Sequence, residues 1–568
     1  MIIVLTDRPG REGLYVTAVK QEGSSDLQLY DYVRITPPNT SYQTPESKRE
    51  WIGQITRPNL NVSMVTDNPF DPSLIHALYL TQSRSDTMIE MAKTIETWEI
   101  HLLGEYDGHR LTTLRRRPQP GSRVERLDRE TTLKVLELPK YDEKQVNAIG
   151  YLLNADDVPL CVNKSIFRHH MMISGGTGSG KSNTGANLVY QAARIGFTVF
   201  LYDAKPDYTL IDKPNSDESV KDVWDEMKKY GLQPFGADNL VRVAIYGIGR
   251  AKNLHYKGYQ AILSFRASDF DAEWLGSLFF TGKADYNQYE EFVSVCKELR
   301  ETKREYSLKD VLDVIRQRSD GDKKEEEEGK KNSKKSERTV HKQTADAIIR
   351  KVERKQKTMP WLDSLNQEVS EVTEKQTQLP FEQTTGLATK LKTQPYRVDN
   401  FISKGKIVYI DLADVDADSY ALFLGYFFRE NQRYLSQNPQ FRSLGILEFA
   451  DEAHRIFTND TRYSDLLEFE FNRTMMEGRS LGHGVIISLQ NASQVPSSIL
   501  NNINSHIVMR QNNREVAKFA TQTMGVDFAD QSISLAPGQA LCRMFGSTAT
   551  VLAQMAPSPY ELERSDNV

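Results

Sequence analysis

Residues 175–182 read Gly-Gly-Thr-Gly-Ser-Gly-Lys-Ser, and they satisfy G-x-x-x-x-G-K-[ST] at every fixed position. A short apolar run (171–173) precedes this loop, and a helix-like run (183–195) follows it. The chemistry explains the spacing. Gly175, Gly176, Thr177, Gly178, Ser179 and Gly180 let successive backbone N–H groups turn inward around a polyphosphate. Lys181 supplies a cation for the β- and γ-phosphates, and the Ser182 hydroxyl can ligate Mg²⁺. The helix start adds its positive dipole end at the same place. A chain with this stretch is expected to fold around a parallel α/β sheet that binds ATP with Mg²⁺.

The next apolar run, 197–202, ends in Asp203. Two strands joined by one helix form a βαβ unit, and its ligands sit at the carboxyl ends of the strands. Two readings fit Asp203: a carboxylate near the nucleotide or its metal, or a helix cap. Further strands are expected at 241–246, 406–412, 444–450 and 485–489. The run 444–450 leads into Asp451-Glu452. Asp451 is placed to hold Mg²⁺, and Glu452 to orient and deprotonate the attacking water. The strand 485–489 ends in Gln490, whose amide suits a sensor of the γ-phosphate. Arg473 and Arg479 stand just upstream, and in an oligomer either can reach a neighbour's nucleotide.

Residues 1–140 read differently. Short runs at 13–19, 27–35, 51–55, 97–103 and 109–114 alternate at period two between turn-forming residues, as in a small barrel or sandwich. Arg115, Arg116 and Arg117 form a basic cluster that fits either DNA phosphates or a solvated loop. Between 251 and 399 the chain reads as a helical insertion. Its stretch 320–338 is so rich in Lys and Glu that a surface loop is expected. Residues 145–250 and 400–556 make up the ATPase core, with a hairpin near 537–556. The tail 557–568 reads as a frayed end or a packing arm.

Composition narrows the class. A net charge of −5 announces no global nucleic-acid surface, so any DNA-binding region is local. Three cysteines lie far apart without CxxC spacing, which argues against a disulfide framework or zinc site and fits a reducing compartment. No run of about twenty apolar residues signals a membrane span. The cytoplasm is the expected location.

Taken in order, GGTGSGKS, FLYDAKPDY, ILEFADEAH, EGRSLGHGVIISLQ and PGQALCRM resemble the HerA branch of the HerA/FtsK P-loop ATPases. The resemblance covers most of 145–556, and the N-terminal segment is similar to the small β-barrel that precedes the core in that family. It implies an α/β fold, a RecA-like core with a helical insertion. It also implies a homohexameric ring that moves double-stranded DNA through a central pore using ATP. By motif, Lys181 and Ser182 bind phosphate and Mg²⁺, Asp203 is the acidic residue after the second strand, and Asp451 and Glu452 are the Mg²⁺ and water-activating pair. Gln490 is the sensor, Arg473 best matches the trans-acting arginine finger and Arg479 is the second choice. The family often carries a basic residue before the P-loop strand, and here Arg168, His169 and His170 all stand there.

The resemblance further implies a separate subunit, either a nuclease in DNA end processing or an NAD-consuming or nuclease effector in anti-phage defence. The barrel is the usual docking surface for it. Two rival readings remain: an ATP-binding ring scaffold that assembles and activates an effector, and a conjugative coupling ATPase, against which the missing membrane span weighs.

Overall fold

A computed structural model describes residues 2–4, 15–20, 27–38, 50–60, 96–119, 121–145, 147–155, 158–280, 282–328, 340–369, 391–453, 457, 462–524 and 528–563. Its centre is a 14-stranded sheet. The strand entering the glycine loop, Met171–Ser174, pairs in parallel with His483–Leu489 on one side and Ser505–Met509 on the other. Beyond His483–Leu489 lie Ile446–Ala450, Thr198–Asp203, Ile407–Asp411, Leu240–Ile245, Ala261–Leu263 and Leu391–Gln394, all parallel. Most central strands are buried along their whole length. That is why the sequence shows continuous apolar runs here rather than alternation: helices cover both faces. The helix Lys181–Ile195 lies close on the sheet. A Cβ on Gly185 would meet the Phe449 ring at 2.5 Å, so a larger residue there would push helix and strand apart. This arrangement is the RecA-like P-loop fold.

Two short strands that the sequence reading placed in the helical insertion, Ala261–Leu263 and Leu391–Gln394, extend the main sheet instead. The insertion itself comprises helices Ala272–Phe279, Tyr286–Thr302, Leu308–Glu328 and Lys342–Gln356. Phe279, Phe292, Leu312 and Ile348 belong to the same core cluster as the central strands. The charged run 320–338 is not wholly a loop. The helix that begins at Leu308 continues through Glu328, and residues 329–339 lie outside the described residues. Lys and Glu are strong helix formers, so an apolar first half can carry a polar extension.

The C-terminal hairpin also joins the main sheet. Gln539–Arg543 pairs antiparallel with Ser505–Met509, and Val551–Met555 and Ala148–Leu152 continue outward from it. The N-terminal strands form a separate antiparallel sheet. Pairing of Tyr15–Lys20 with Glu96–Tyr106 closes it on itself as a barrel. Val16, Ala18, Val33, Ile35, Ile55, Ile100 and Val124 fill its interior, which accounts for the period-two pattern. The strands Ile2–Val4 and Arg123–Arg126 are too short to stand out in sequence. Tyr32 Oη and Gln54 Nε2 donate to the Thr550 carbonyl at 3.0 and 3.2 Å, tying barrel to core. At the basic cluster the backbone N–H groups of Arg115 and Arg116 donate to Glu105 Oε1 at 2.8 and 2.7 Å, so the segment is a fixed turn. All three cysteines are free and buried. Among the described residues no helix is long and apolar enough to cross a membrane.

Two buried histidines give the fold a pH dependence. His170 shares its Nε2 with the Met475 carbonyl at 2.8 Å, and His506 its Nε2 with the Ile503 carbonyl at 3.1 Å. Burial pushes each imidazole down to about 4. The folded value lies below the unfolded one, so the unfolded chain binds the extra proton. The stabilising contribution is complete above about pH 6.5 and is lost as pH falls towards 4, by up to roughly 3 kcal/mol per ring. The urea midpoint should therefore fall between pH 7 and 4.5, and the double variant H170Q/H506Q should flatten that slope. An unchanged slope in the variant would contradict the assignment.

Candidate active site

The glycine loop is shaped by backbone geometry. Gly178 and Gly180 have φ of 72° and 106°, in the left-handed region that side chains disfavour. Gly180 ends the loop as the helix N-cap and offers no side chain to the first turn, so the opening N–H groups of Lys181–Ile195 are left uncapped. The loop is pinned from outside. Gly175 N donates to the Leu489 carbonyl at 3.3 Å, Gly176 N to Arg510 at 2.8 Å, and Gly538 N to Ser179 at 3.0 Å. A Cβ on Gly176 would lie 2.0 Å from Asn512 Oδ1, so a side chain there would displace the Asn512 amide.

A cavity of about 500 Å³ opens beside this loop. Thr177, Gly178, Gly180, Lys181, Ser182 and Asn183 line one wall. Asp451, Glu452 and Gln490 line the facing one, at the carboxyl ends of Ile446–Ala450 and His483–Leu489. Gln490 Nε2 donates to Glu452 Oε1 at 3.0 Å. Glu452 itself has φ of 51°, an uncommon conformation for a residue with a side chain, of the kind that collects at functional sites. The N–H of Ala453 donates to the Ser488 carbonyl at 3.0 Å and holds this turn against the neighbouring strand. Burial, then the adjacent Glu452 charge, pushes the Asp451 carboxyl up to about 6. Burial lowers Lys181, while Asp451 and Glu452 act in the opposite sense.

Asp203 does not reach this cavity. It is fully buried, accepting from Tyr208 N at 3.1 Å and Tyr409 Oη at 3.0 Å. Burial and the charge of Asp451 push its carboxyl well above the usual range. The short 3-10 helix Pro206–Tyr208 that follows has Lys205, not Asp203, at its N-cap, and Asp203 braces that turn from beneath through Tyr208 N. The turn after it delivers two groups that sequence reasoning missed, Lys205 and Asp207, both lining the cavity. Ser182 Oγ donates to Asp207 Oδ2 at 2.7 Å, and Lys205 Nζ forms a close ion pair with Glu452 Oε1. The signal available was the Lys-Pro-Asp turn itself, directly after a strand end.

The tail contributes the third wall. Glu561, Leu562 and Glu563 line the cavity. The segment is strapped down: Asn215 N and Phe235 N donate to the Pro559 carbonyl at 3.0 and 2.9 Å, and Glu563 N donates to Asp207 at 3.0 Å. Arg250 pairs with Glu563 at 3.3 Å, and Tyr560 is buried against Tyr190. The packing-arm reading of the tail describes residues up to 563, while 564–568 lie outside the described residues.

The two arginines stand elsewhere. Arg473 is 49% exposed on the helix Arg462–Leu481, within reach of Glu477 (3.4 Å) and Glu470 (4.0 Å). It lines a different cavity, of about 530 Å³, with Arg300, Arg429 and Arg433. Arg479 is exposed on the same helix. Arg168 donates to the Arg442 carbonyl at 2.7 Å, His169 stacks on Phe545 and His170 is buried, so none of the three lines the glycine-loop cavity.

The donor set fits a nucleoside triphosphate with a divalent cation. An uncapped helix start and two ammonium groups face anionic oxygens, and a hydroxyl beside carboxylates suits Mg²⁺. The volume lies in the range of nucleotide-sized sites. Because the strap builds one wall, Tyr560→Ala should cost about 3 kcal/mol of stability by thermal or urea unfolding. A loss below 0.5 kcal/mol would mean that the tail is not packed.

Comparison with known proteins bears on the family. The family model described as Helicase HerA, central domain, matches residues 146–430. The DNA double-strand break repair helicase HerA of Sulfolobus acidocaldarius is 27% identical over 151 residues, 25% of this chain and 30% of that protein. Its counterpart in Sulfurisphaera tokodaii is 22% identical over 401 residues, 69% of this chain and 66% of that one. The matched part thus spans less than two thirds of each relative. Among solved structures, the plasmid coupling protein TrwB in complex with a non-hydrolysable GTP analogue is 12% identical over 70% of this chain and 87% of that chain, with a TM-score of 0.41. VirB4 of Thermoanaerobacter pseudethanolicus is 11% identical over 72% and 96%, with a TM-score of 0.40. With its family model covering half the sequence and its glycine loop, Asp-Glu strand and glutamine-ended strand meeting at one cavity, the chain belongs to the HerA family of P-loop ATPases.

Proposed function

We propose that the chain hydrolyses ATP with Mg²⁺ and uses the energy to move double-stranded DNA, as a ring of six copies working with a separate nuclease or NAD-consuming effector subunit. The observation that carries the catalytic part is the convergence of Lys181, Ser182, Asp451, Glu452 and Gln490 on one cavity. Lys181 and the uncapped helix start bind the phosphates. Ser182 and Asp451 hold the cation, which when bound neutralises charge on the phosphate oxygens. Glu452 accepts a proton from the attacking water, and Gln490, already bonded to it, orients that water.

The ring reading is supported by where the two candidate arginines stand. Neither Arg473 nor Arg479 lines it. Arg473 instead stands on an exposed helix face with Phe469 and Met476, which are 63% and 71% exposed. Positions 469, 473 and 476 share one helix face, and large exposed apolar side chains around a cation mark a protein interface. A neighbouring copy that packs there receives Arg473 as its charge-neutralising finger, with Arg479 as the second candidate. DNA, the effector and its docking on the N-terminal barrel come from the family resemblance. Both the defence and the end-processing roles fit it.

Glu452→Gln should lower the turnover number at least about 100-fold without weakening ATP binding. Turnover within a few-fold of the parent would remove Glu452 from the reaction. Duplex DNA should raise the ATPase rate of the parent protein. A rate indifferent to DNA, with effector assembly intact in the Glu452→Gln variant, would replace the motor by an ATP-binding scaffold.

A further inference from the structure

The carboxylate assigned as the base is already engaged. Glu452 is almost fully buried, and its Oε1 pairs closely with Lys205 Nζ, whose side chain is 42% exposed. Both residues line the same cavity as Lys181. The backbone around Lys205 is fixed. Pro206 follows it, Asp207 N donates to the Lys205 carbonyl at 2.6 Å, and Tyr208 N donates to buried Asp203. Ser182 and Glu563 hold Asp207 in turn. A fixed base with a flexible four-carbon stem is a tethered point charge that can change partners without moving the fold.

Charge makes that exchange necessary. Among the described residues the cavity is lined by two ammonium groups, Lys181 and Lys205, against Asp207, Asp217, Asp451, Glu452, Glu561 and Glu563. A triphosphate adds several more negative charges to this set, and one of these two cations, Lys205, is already committed to Glu452. While that pair holds, the ammonium occupies the same Glu452 oxygen, Oε1, that Gln490 meets. It also helps to hold Glu452 in its left-handed turn, a conformation of the kind that persists only when its surroundings over-determine it.

Resting on the ATPase reading above, we propose that Lys205 is a positioning residue that reads the third phosphate. It holds Glu452 until a γ-phosphate competes for its ammonium, and its transfer to that phosphate releases Glu452 as the base. Hydrolysis is thereby gated on the nucleotide carrying three phosphates rather than two.

Calorimetry with Mg²⁺ and either a non-hydrolysable ATP analogue or ADP tests this without turnover. Lys205→Ala should weaken the analogue about tenfold and leave ADP within twofold, and Lys205→Arg should restore most of the difference. Glu452→Gln should tighten the analogue severalfold in the parent but not in the Lys205→Ala background, because the effect runs through the freed ammonium. Unaltered ADP affinity shows that the variants are folded. If the parent binds neither nucleotide, the ATPase reading fails. If the parent prefers the analogue and Lys205→Ala keeps that preference, only the role of Lys205 is overturned.

Discussion

Parallel pairing of three strands in one register carries the site. Ser174 faces Leu489 across one pair, and Ala450 faces Ile487 across the next. Gly175, Gln490 and Asp451 therefore leave the sheet along the same edge. The strand leading to Gln490 separates the glycine-loop strand from the Asp-Glu strand, which places the amide between the glycine loop and Glu452. Side chains alternate faces along a strand, so a slip of one residue in either pair would turn this chemistry to the wrong side. Everything else at the site is fastened to that edge: the helix by Gly185 against Phe449, the Lys-Pro-Asp turn by Asp203, and the tail by Asp207.

Apolar burial does not by itself choose a register, because it has no direction. A polar network beneath the edge does. Glu448, fully buried on the Asp-Glu strand, accepts from Tyr202 Oη at 2.8 Å and Asn431 Nδ2 at 2.9 Å, and meets His483 Nε2 at 2.6 Å. Asn431 in turn accepts from Tyr396 Oη at 2.5 Å. These bonds link three adjacent strands and the helix Ala417–Gln437. A buried carboxylate satisfied from several elements tolerates little relative sliding between them, since each lost bond leaves a desolvated polar group. Three residues beyond Glu448, just past the end of that strand, stands Asp451.

The parts legible in sequence are those whose chemistry is local. The glycine loop, Asp451-Glu452 and Gln490 each follow an apolar strand, and each signal sits within a few consecutive residues. The barrel strands announce themselves by alternation wherever they are long enough. What escaped depends on tertiary placement. Asp203 and Asp207 are both acids after one strand. Only the turn decides that the first points inward to Tyr208 and Tyr409 while the second meets Ser182. Lys205 is read only through its distant partner Glu452, and the strap only through contacts with 207–216 and Phe235. Ala261–Leu263 is three residues long, too short for a periodic pattern, and Leu391–Gln394 mixes apolar and polar side chains.

One cavity is lined by the glycine loop, Ser182, Asp451 and Glu452, while the exposed face around Arg473 lies apart from it. That separation is the physical ground for a site completed by a second copy, and subunit mixing tests it most directly. Lys181→Ala chains cannot use ATP but keep Arg473, whereas Arg473→Ala chains keep the cavity but lack the finger. Each preparation alone should be inactive. Mixed rings should regain part of the parent ATPase rate, with a maximum at intermediate ratios, where intact cavities face intact arginines. A mixture no more active than its components, with mixed assembly verified, would contradict a shared site and remove Arg473 from the reaction.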